Sequence, residues 1–168
     1  MRAQTQLDFG GRAKLDHNDR LILEQLQKNA RQSVSDIARK TKLPRDVVKY
    51  RIRRLEENKV IRFYHASLNP SKLGYPLYSY VTFSLYNQSP DDEERFIHFL
   101  EQHQKIIYVA KYSGKWDFAI GVCARDYKDL DDVIRAIRKK FTHVIKDFDV
   151  YPVIQEYKFD YMTDLISV

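Results

Sequence analysis

The chain has 168 residues, 43% hydrophobic and 31% charged, with a formal net charge of +6. That balance describes folded protein rather than a disordered segment, and the length suits one domain or two small ones. No apolar run approaches the roughly 20 residues of a membrane-spanning helix. MRAQTQLDFGG lacks the apolar core of a secretion signal, and the single Cys123 leaves no internal disulfide framework, so a cytoplasmic setting is expected.

Charge is unevenly spread. Residues 1–74 hold 17 Lys and Arg against 8 Asp and Glu, a net +9, whereas residues 75–168 hold 12 against 15, a net −3. A basic half joined to a mildly acidic half implies that one part holds a polyanion and the other does something else.

Residues 1–14 show no periodicity, contain Gly10-Gly11, and read as a flexible arm. Three helical signals follow. Asp16 with Asp19 caps a first helix whose buried stripe is Ile22, Leu23, Leu26 and Ala30. Ser33 with Asp36 caps a second, carrying Val34, Ile37, Ala38 and Thr41. A third begins with Pro44 at its first helical position and runs to about Asn58, with Val48, Ile52 and Leu55 on one stripe. Only Lys42 and Leu43 separate the second and third helices, the spacing of a helix-turn-helix. The segment VIRFYHASL then predicts a strand, the wing of this domain. NPSKLGYP marks the boundary, giving a helix-turn-helix domain over 15–68 and a linker over 69–76.

From Leu77 the period changes to two: Leu77, Val81, Phe83 and Leu85 share one face, and tyrosines with small hydroxyls the other. Ser89, Pro90 and Asp92 open a helix to about His103, with Phe96 and Leu100 inward. The acids Asp91 to Glu94 sit in its first turn, where the helix dipole accounts for them. IIYVAKYS and WDFAIGVCA form a hairpin around Gly114-Lys115, and residues 127–141 form a helix with Leu130, Val133, Ile134, Ile137 and Phe141 on one face. FDVYPVIQEYKF predicts a last strand, and Pro152 within it argues for an edge or a bulge. The order β-α-β-β-α-β predicts a ferredoxin-like domain over 77–160, followed by a tail over 161–168. The fold class expected is therefore α+β: a winged helix-turn-helix followed by a ferredoxin-like effector and oligomerisation domain. Both helices lie on one face of the sheet. Tyr78, Tyr80, Tyr86, Tyr151, Val153 and Tyr157 are expected on the other, and a face this apolar points to dimerisation.

Leu15-Asp16 with Asp19, Arg31, Ile37-Ala38, Leu43, Val48, Arg51-Ile52, Leu55-Glu56 and Val60-Ile61 occur in the order and spacing of the Lrp/AsnC, or feast/famine, transcription regulators. The C-terminal half is similar to that family's effector-binding domain, including a Gly114-x-x-Asp117 hairpin, so the resemblance covers about residues 15–160. It implies a regulator that binds double-stranded DNA as a homodimer, tetramer or octamer and answers to a small-molecule effector such as an amino acid. The effector would lie between subunits, beside Gly114, Trp116 and Asp117. Pro44, Val47 and Lys59 stand where the family pattern has serine, threonine and glycine, and VYPVIQEY replaces a threonine-rich stretch at the expected amino-acid site.

With the apolar stripe of the third helix inward, Arg45, Asp46, Lys49, Tyr50 and Arg53 face a DNA major groove. There Arg and Lys donate to guanine, Asp accepts from cytosine, and Tyr touches a thymine methyl or stacks. Arg51 and Arg54 lie on the flanks and are assigned to phosphate, with Arg31, Lys42 and Arg62 adding to that ring. An architectural nucleoid-type protein is the alternative, since basic charge alone supports non-specific binding. Siroheme decarboxylases resemble the same family but carry histidine and arginine around the hairpin, which here reads YVAKYSGKWDFAI, without histidine. No enzymatic activity is expected. The five histidines lack ligand spacing, and no phosphate loop or nucleophile elbow appears, so no metal or cofactor is expected either.

Overall fold

The computed structural model describes residues 10–87 and 89–167. The chain forms two compact units, one of Met1–Ser67 with Tyr157–Val168, the other of Leu68–Glu156.

In the first unit, α1 (His17–Lys28), α2 (Val34–Thr41) and α3 (Arg45–Glu57) follow one another closely. The Asp16 carboxylate accepts from Asp19 N and the Asp19 carboxylate from Asp16 N, a reciprocal cap that starts α1. Ser33 caps α2 by accepting from Asp36 N. Pro44 is the N-cap of α3 rather than its first helical residue, and it supplies no side-chain hydrogen bond. Ile22, Leu23, Ile37, Ala38, Val48 and Leu55 make the buried core, with Leu26 and Ile52 packed against it. Ala30, expected in that stripe, is exposed, because α1 has already ended at Lys28.

Two further expectations fail here. Residues 60–68 form no strand. A strand needs a neighbour for its N–H and C=O groups, and no described segment of the chain supplies one. The C-terminal segment is likewise no separate tail after the sheet domain: Tyr157–Val168 belongs to the helical unit. Of the expected N-terminal arm, residues 1–9 lie outside the described residues, and 10–14 carry no regular structure.

The second unit opens with a 3-10 turn at Pro70–Leu73, closed by Gly74 at φ 87°, a backbone angle that suits glycine. Then come β1 (Leu77–Leu85), α4 (Pro90–Gln102), β2 (Ile106–Lys111), β3 (Phe118–Ala124), α5 (Tyr127–Lys140) and β4 (Ile145–Pro152). The sheet is antiparallel throughout, in the order β2-β3-β1-β4. That is the ferredoxin-like arrangement predicted from the pattern. Val81, Phe83, Phe118, Ile120 and Val122 pack with Phe96 and Leu100 of α4 and with Leu130, Val133 and Ile137 of α5. The Phe96 ring lies 5.1–5.7 Å from those of Phe83, Phe118 and Phe141 at the centre of this core.

β4 lies at the sheet edge, one of the two places expected for a strand holding Pro152, but it starts at Ile145 and stops at Pro152, not Phe159. The chain makes one further pairing bond, Val153 N to Tyr78 O at 2.8 Å, and then leaves the sheet. Tyr157 is therefore not part of the sheet face. Among the described residues no helix is long and apolar enough to cross a membrane, and no side-chain group suits a metal ion. Cys123 is buried, and burial pushes its thiol pKa up, as suits an inert core group.

Candidate nucleic-acid interface

The turn into α3 is built by backbone geometry. Lys42 adopts φ 58°, Leu43 N donates to Ala38 O, and Val48 N donates to Pro44 O at 3.0 Å, so α3 starts within three residues of α2. Val48 and Leu55 then face the core, and helical periodicity turns Arg45, Asp46, Lys49, Tyr50 and Arg53 outward together. All five are exposed, Tyr50 by 65%. Arg53 Nε donates to Glu57 Oε1 at 2.8 Å along the helix, while Arg45 and Lys49 take part in none of the ion pairs formed among the described residues. The face thus carries two uncommitted cations, one acid, one phenol and one loosely paired guanidinium.

Arg51 and Arg54 sit elsewhere. Arg51 Nη1 donates to both Asp16 oxygens at 2.7 Å and to Asp19 Oδ1 at 2.8 Å, and its side chain is 16% exposed. Arg54 Nη2 donates to Asp19 Oδ2 at 2.5 Å. Asp19 itself is fully buried. The two arginines assigned to phosphate are therefore turned inward, onto the acids that cap α1. This guanidinium contact is the chief reason the Asp16 carboxyl is held below its ordinary pKa. The sequence reading took Asp16 and Asp19 as a cap and missed their second role. The available signal was two acids on one helix start and two arginines three apart, next to the core-facing Ile52 and Leu55. Of the other expected phosphate residues, Arg31, Lys42 and Arg62 are exposed, with the Arg62 guanidinium 5.5 Å from the Phe63 ring centre.

In the sheet unit the Gly114-Asp117 hairpin is closed by Tyr112 N donating to Asp117 O at 2.7 Å. Asp117 N donates to Phe83 O at 2.9 Å, and Asp117 Oδ2 accepts from Leu85 N at 2.7 Å, where β1 and β4 slip register. The carboxylate proposed for an effector is thus already engaged in fastening the hairpin to the end of β1. Lys115 Nζ lies 4.7 Å from the Trp116 ring centre, and Gly114 is exposed. Among the described residues, one shallow groove at Phe99 to Lys105 measures about 410 Å³ and another, bordered by Gly11, Arg54 and Val60, about 320 Å³. Neither includes Gly114, Trp116 or Asp117.

The sheet face away from the helices carries Tyr78 and Tyr80 with ring centres 5.2 Å apart, and Tyr108 at 6.2 Å from Tyr80. Gly121 lies beneath them; a Cβ there would meet the Tyr78 hydroxyl at 3.0 Å and Tyr108 Cβ at 3.1 Å. Hydrogen bonding to Tyr112 and burial push the Tyr108 phenol up to about 12. Asp149 accepts from the Tyr151 hydroxyl at the rim.

A three-helix unit with a cationic, solvent-facing third helix, joined to a ferredoxin-like sheet unit, defines a helix-turn-helix DNA-binding regulator with a separate second domain. Residues 15–62 match the winged helix-turn-helix DNA-binding family, and residues 79–163 match the Lrp/AsnC ligand binding domain. The chain belongs to the Lrp/AsnC family of transcriptional regulators. It is 32% identical over 120 residues to the HTH-type transcriptional regulator LrpA of Pyrococcus horikoshii, covering 71% of this chain and 83% of that one. It is 29% identical over 140 residues to Ptr1 of Methanocaldococcus jannaschii, covering 83% and 84%. Among solved structures, an AsnC family regulator of Agrobacterium tumefaciens superposes with a TM-score of 0.78 at 26% identity, over 86% of this chain and 94% of that one. A Neisseria meningitidis transcriptional regulator in complex with L-Met superposes at 0.81 and 20% identity, over 91% and 100%, a likeness of fold.

Proposed function

We propose that this regulator reads pseudo-palindromic operators through α3. Arg45, Asp46, Lys49, Tyr50 and Arg53 would meet base edges in the major groove of double-stranded DNA, and Arg31, Lys42 and Arg62 would meet phosphates. Arg51 and Arg54 contribute by fixing α3 on α1, not by touching DNA. The observation that carries the reading is the division of the cations of α3: Arg45 and Lys49 stand uncommitted on the outer face, while Arg51 and Arg54 are bound to Asp16 and Asp19. A helix serving only as a solvated surface has no need of that division.

The molecule acts as a homodimer joined through the tyrosine face of the sheet, with tetramers or octamers as further assemblies. It acts in the cytoplasm and without enzymatic activity of its own. A small molecule such as an amino acid modulates it beside Gly114 and Trp116, where a partner subunit would complete a site that the single chain leaves open. The methionine complex of the Neisseria structure supports that class of ligand. Asp117 serves this site through the hairpin it fastens.

The test is binding to a selected duplex and a scrambled one across a salt series, with Lys49→Ala alongside. A steep salt slope on both duplexes and a large affinity gap between them is expected, because phosphate contacts set the slope and base contacts set the gap. Lys49→Ala should narrow the gap by about tenfold, in line with about 1–3 kcal/mol for a good base contact, at an unchanged melting temperature. Equal affinity for both duplexes would instead make the protein an architectural, nucleoid-type DNA binder.

A further inference from the structure

The C-terminal segment is joined to the helical unit through its backbone. Gln27, in the last turn of α1, uses both ends of its amide. Nε2 donates to Asp160 O at 2.7 Å, and Oε1 accepts from Met162 N at 3.0 Å and Thr163 N at 3.1 Å. Asp160 takes φ 54°, an uncommon angle for a residue with a side chain, in the bend that brings these three groups to one amide. Thr163–Leu165 then makes a single 3-10 turn, Ile166 packs on the α1–α3 core, and Arg12 Nη2 donates to Ser167 O at 3.4 Å.

A segment kept only to cover apolar surface would turn its large apolar groups inward. Here Tyr157, Tyr161, Met162 and Leu165 remain exposed, Tyr157 by 88% and Leu165 by 78%, and Ile166 alone enters the cluster. The attachment is a polar latch. Its topological effect is specific, because the chain passes between the two units at Ser67–Leu68 and again at Glu156–Tyr157. With the first passage alone, the irregular stretch 62–69 is the only leash. Eight residues drawn out span about 25 Å, a large fraction of the 34–36 Å between half-sites one DNA turn apart.

We propose that Gln27 is a positioning residue for operator recognition. It latches residues 157–167 to α1 as a second tether, and the doubly tethered helical units of a dimer are thereby held to one half-site spacing. This rests on the two-half-site reading above.

The test compares the full chain with Gln27→Ala and with a chain ending at Lys158. The duplexes carry two half-sites either in phase or shifted by half a helical turn, and a third carries one half-site alone. The parent is expected to bind the in-phase duplex at least tenfold more tightly than the shifted one. Both variants should shrink that ratio severalfold with little change on the single half-site. A merely structural role would weaken binding to all three duplexes alike. Amide hydrogen exchange at Met162 and Thr163 provides a reading without DNA: slow in the parent, fast in Gln27→Ala. Fast exchange in the parent overturns the latch. An unchanged spacing ratio in Gln27→Ala, with those amides deprotected, overturns its positioning role. A parent indifferent to spacing overturns the two-half-site reading and the positioning role together, and the parent alone reveals it.

Discussion

At Lys59 the backbone turns left-handed, with φ 56°, and Val60 N and Ile61 N both donate to Leu55 O to end α3. That angle favours glycine, which the family pattern places at this position, and a side chain there costs about 1 kcal/mol. Lys59→Gly should therefore raise the stability of the helical unit by about 1 kcal/mol, seen as a higher melting temperature. Asp19 shows the opposite case, a side chain whose removal leaves others stranded. It is fully buried and receives both Arg51 and Arg54. Breaking a buried pair from one side typically costs about 3–5 kcal/mol, and Arg54, a third exposed, can turn partly to water. Asp19→Ala should lower stability by about 3 kcal/mol in urea unfolding and weaken DNA binding on every duplex, because α3 loses its fixed seat. Asp19 was legible in the sequence as a cap; its arginine partners were not, since 32 and 35 residues separate it from them.

Among the elements, the hairpin between β2 and β3 carries the next consequence. The Gly114-x-x-Asp117 spacing located the turn correctly, but sequence alone left Asp117 open as a ligand contact. Its carboxylate instead accepts from Leu85 N beside the register slip of β1. Asp117→Ala leaves that partly buried N–H unpaired, a loss of about 1–3 kcal/mol. The sheet unit of this variant should melt lower in the absence of any ligand. An unchanged melting temperature would return Asp117 to the ligand-facing role first expected of it. The segments after α3 and after β4 explain the two strand expectations that failed. VIRFYHASL and VIQEYKF have strand-like composition, yet strands exist only in pairs. Among the described residues the first finds no pairing strand, and the second leaves the sheet after Pro152 for the helical unit. Composition reports a preference for pleated backbone; it does not report who lies alongside.

For the whole molecule, the tyrosine face sets the assembly proposed. Tyr80 sits between Tyr78 and Tyr108 on that face, clear of both helices. Tyr80→Glu should leave the sheet unit folded and convert the dimer to monomer in sedimentation, because burying an unpaired carboxylate across an interface is costly. Sequence-specific affinity for a two-half-site duplex should fall with it, while binding to a single half-site remains. A dimer that persists unchanged would move the interface off this face.

By itself the sequence determined what is local. Hydrophobic period, capping pairs and turn residues act over a few positions, and they set α1 to α5, β1 to β4, the helix-turn-helix spacing and the cationic outer face of α3. The tertiary structure decided everything that required distant residues to meet. It committed Arg51 and Arg54 to the acids of α1, spent Asp117 on β1, left residues 60–68 outside any sheet, and returned the C-terminal segment to Gln27. The reason is physical: a side chain's partner is chosen by packing across tens of residues, and several sequence-equivalent partners compete until the fold brings one of them within hydrogen-bonding distance.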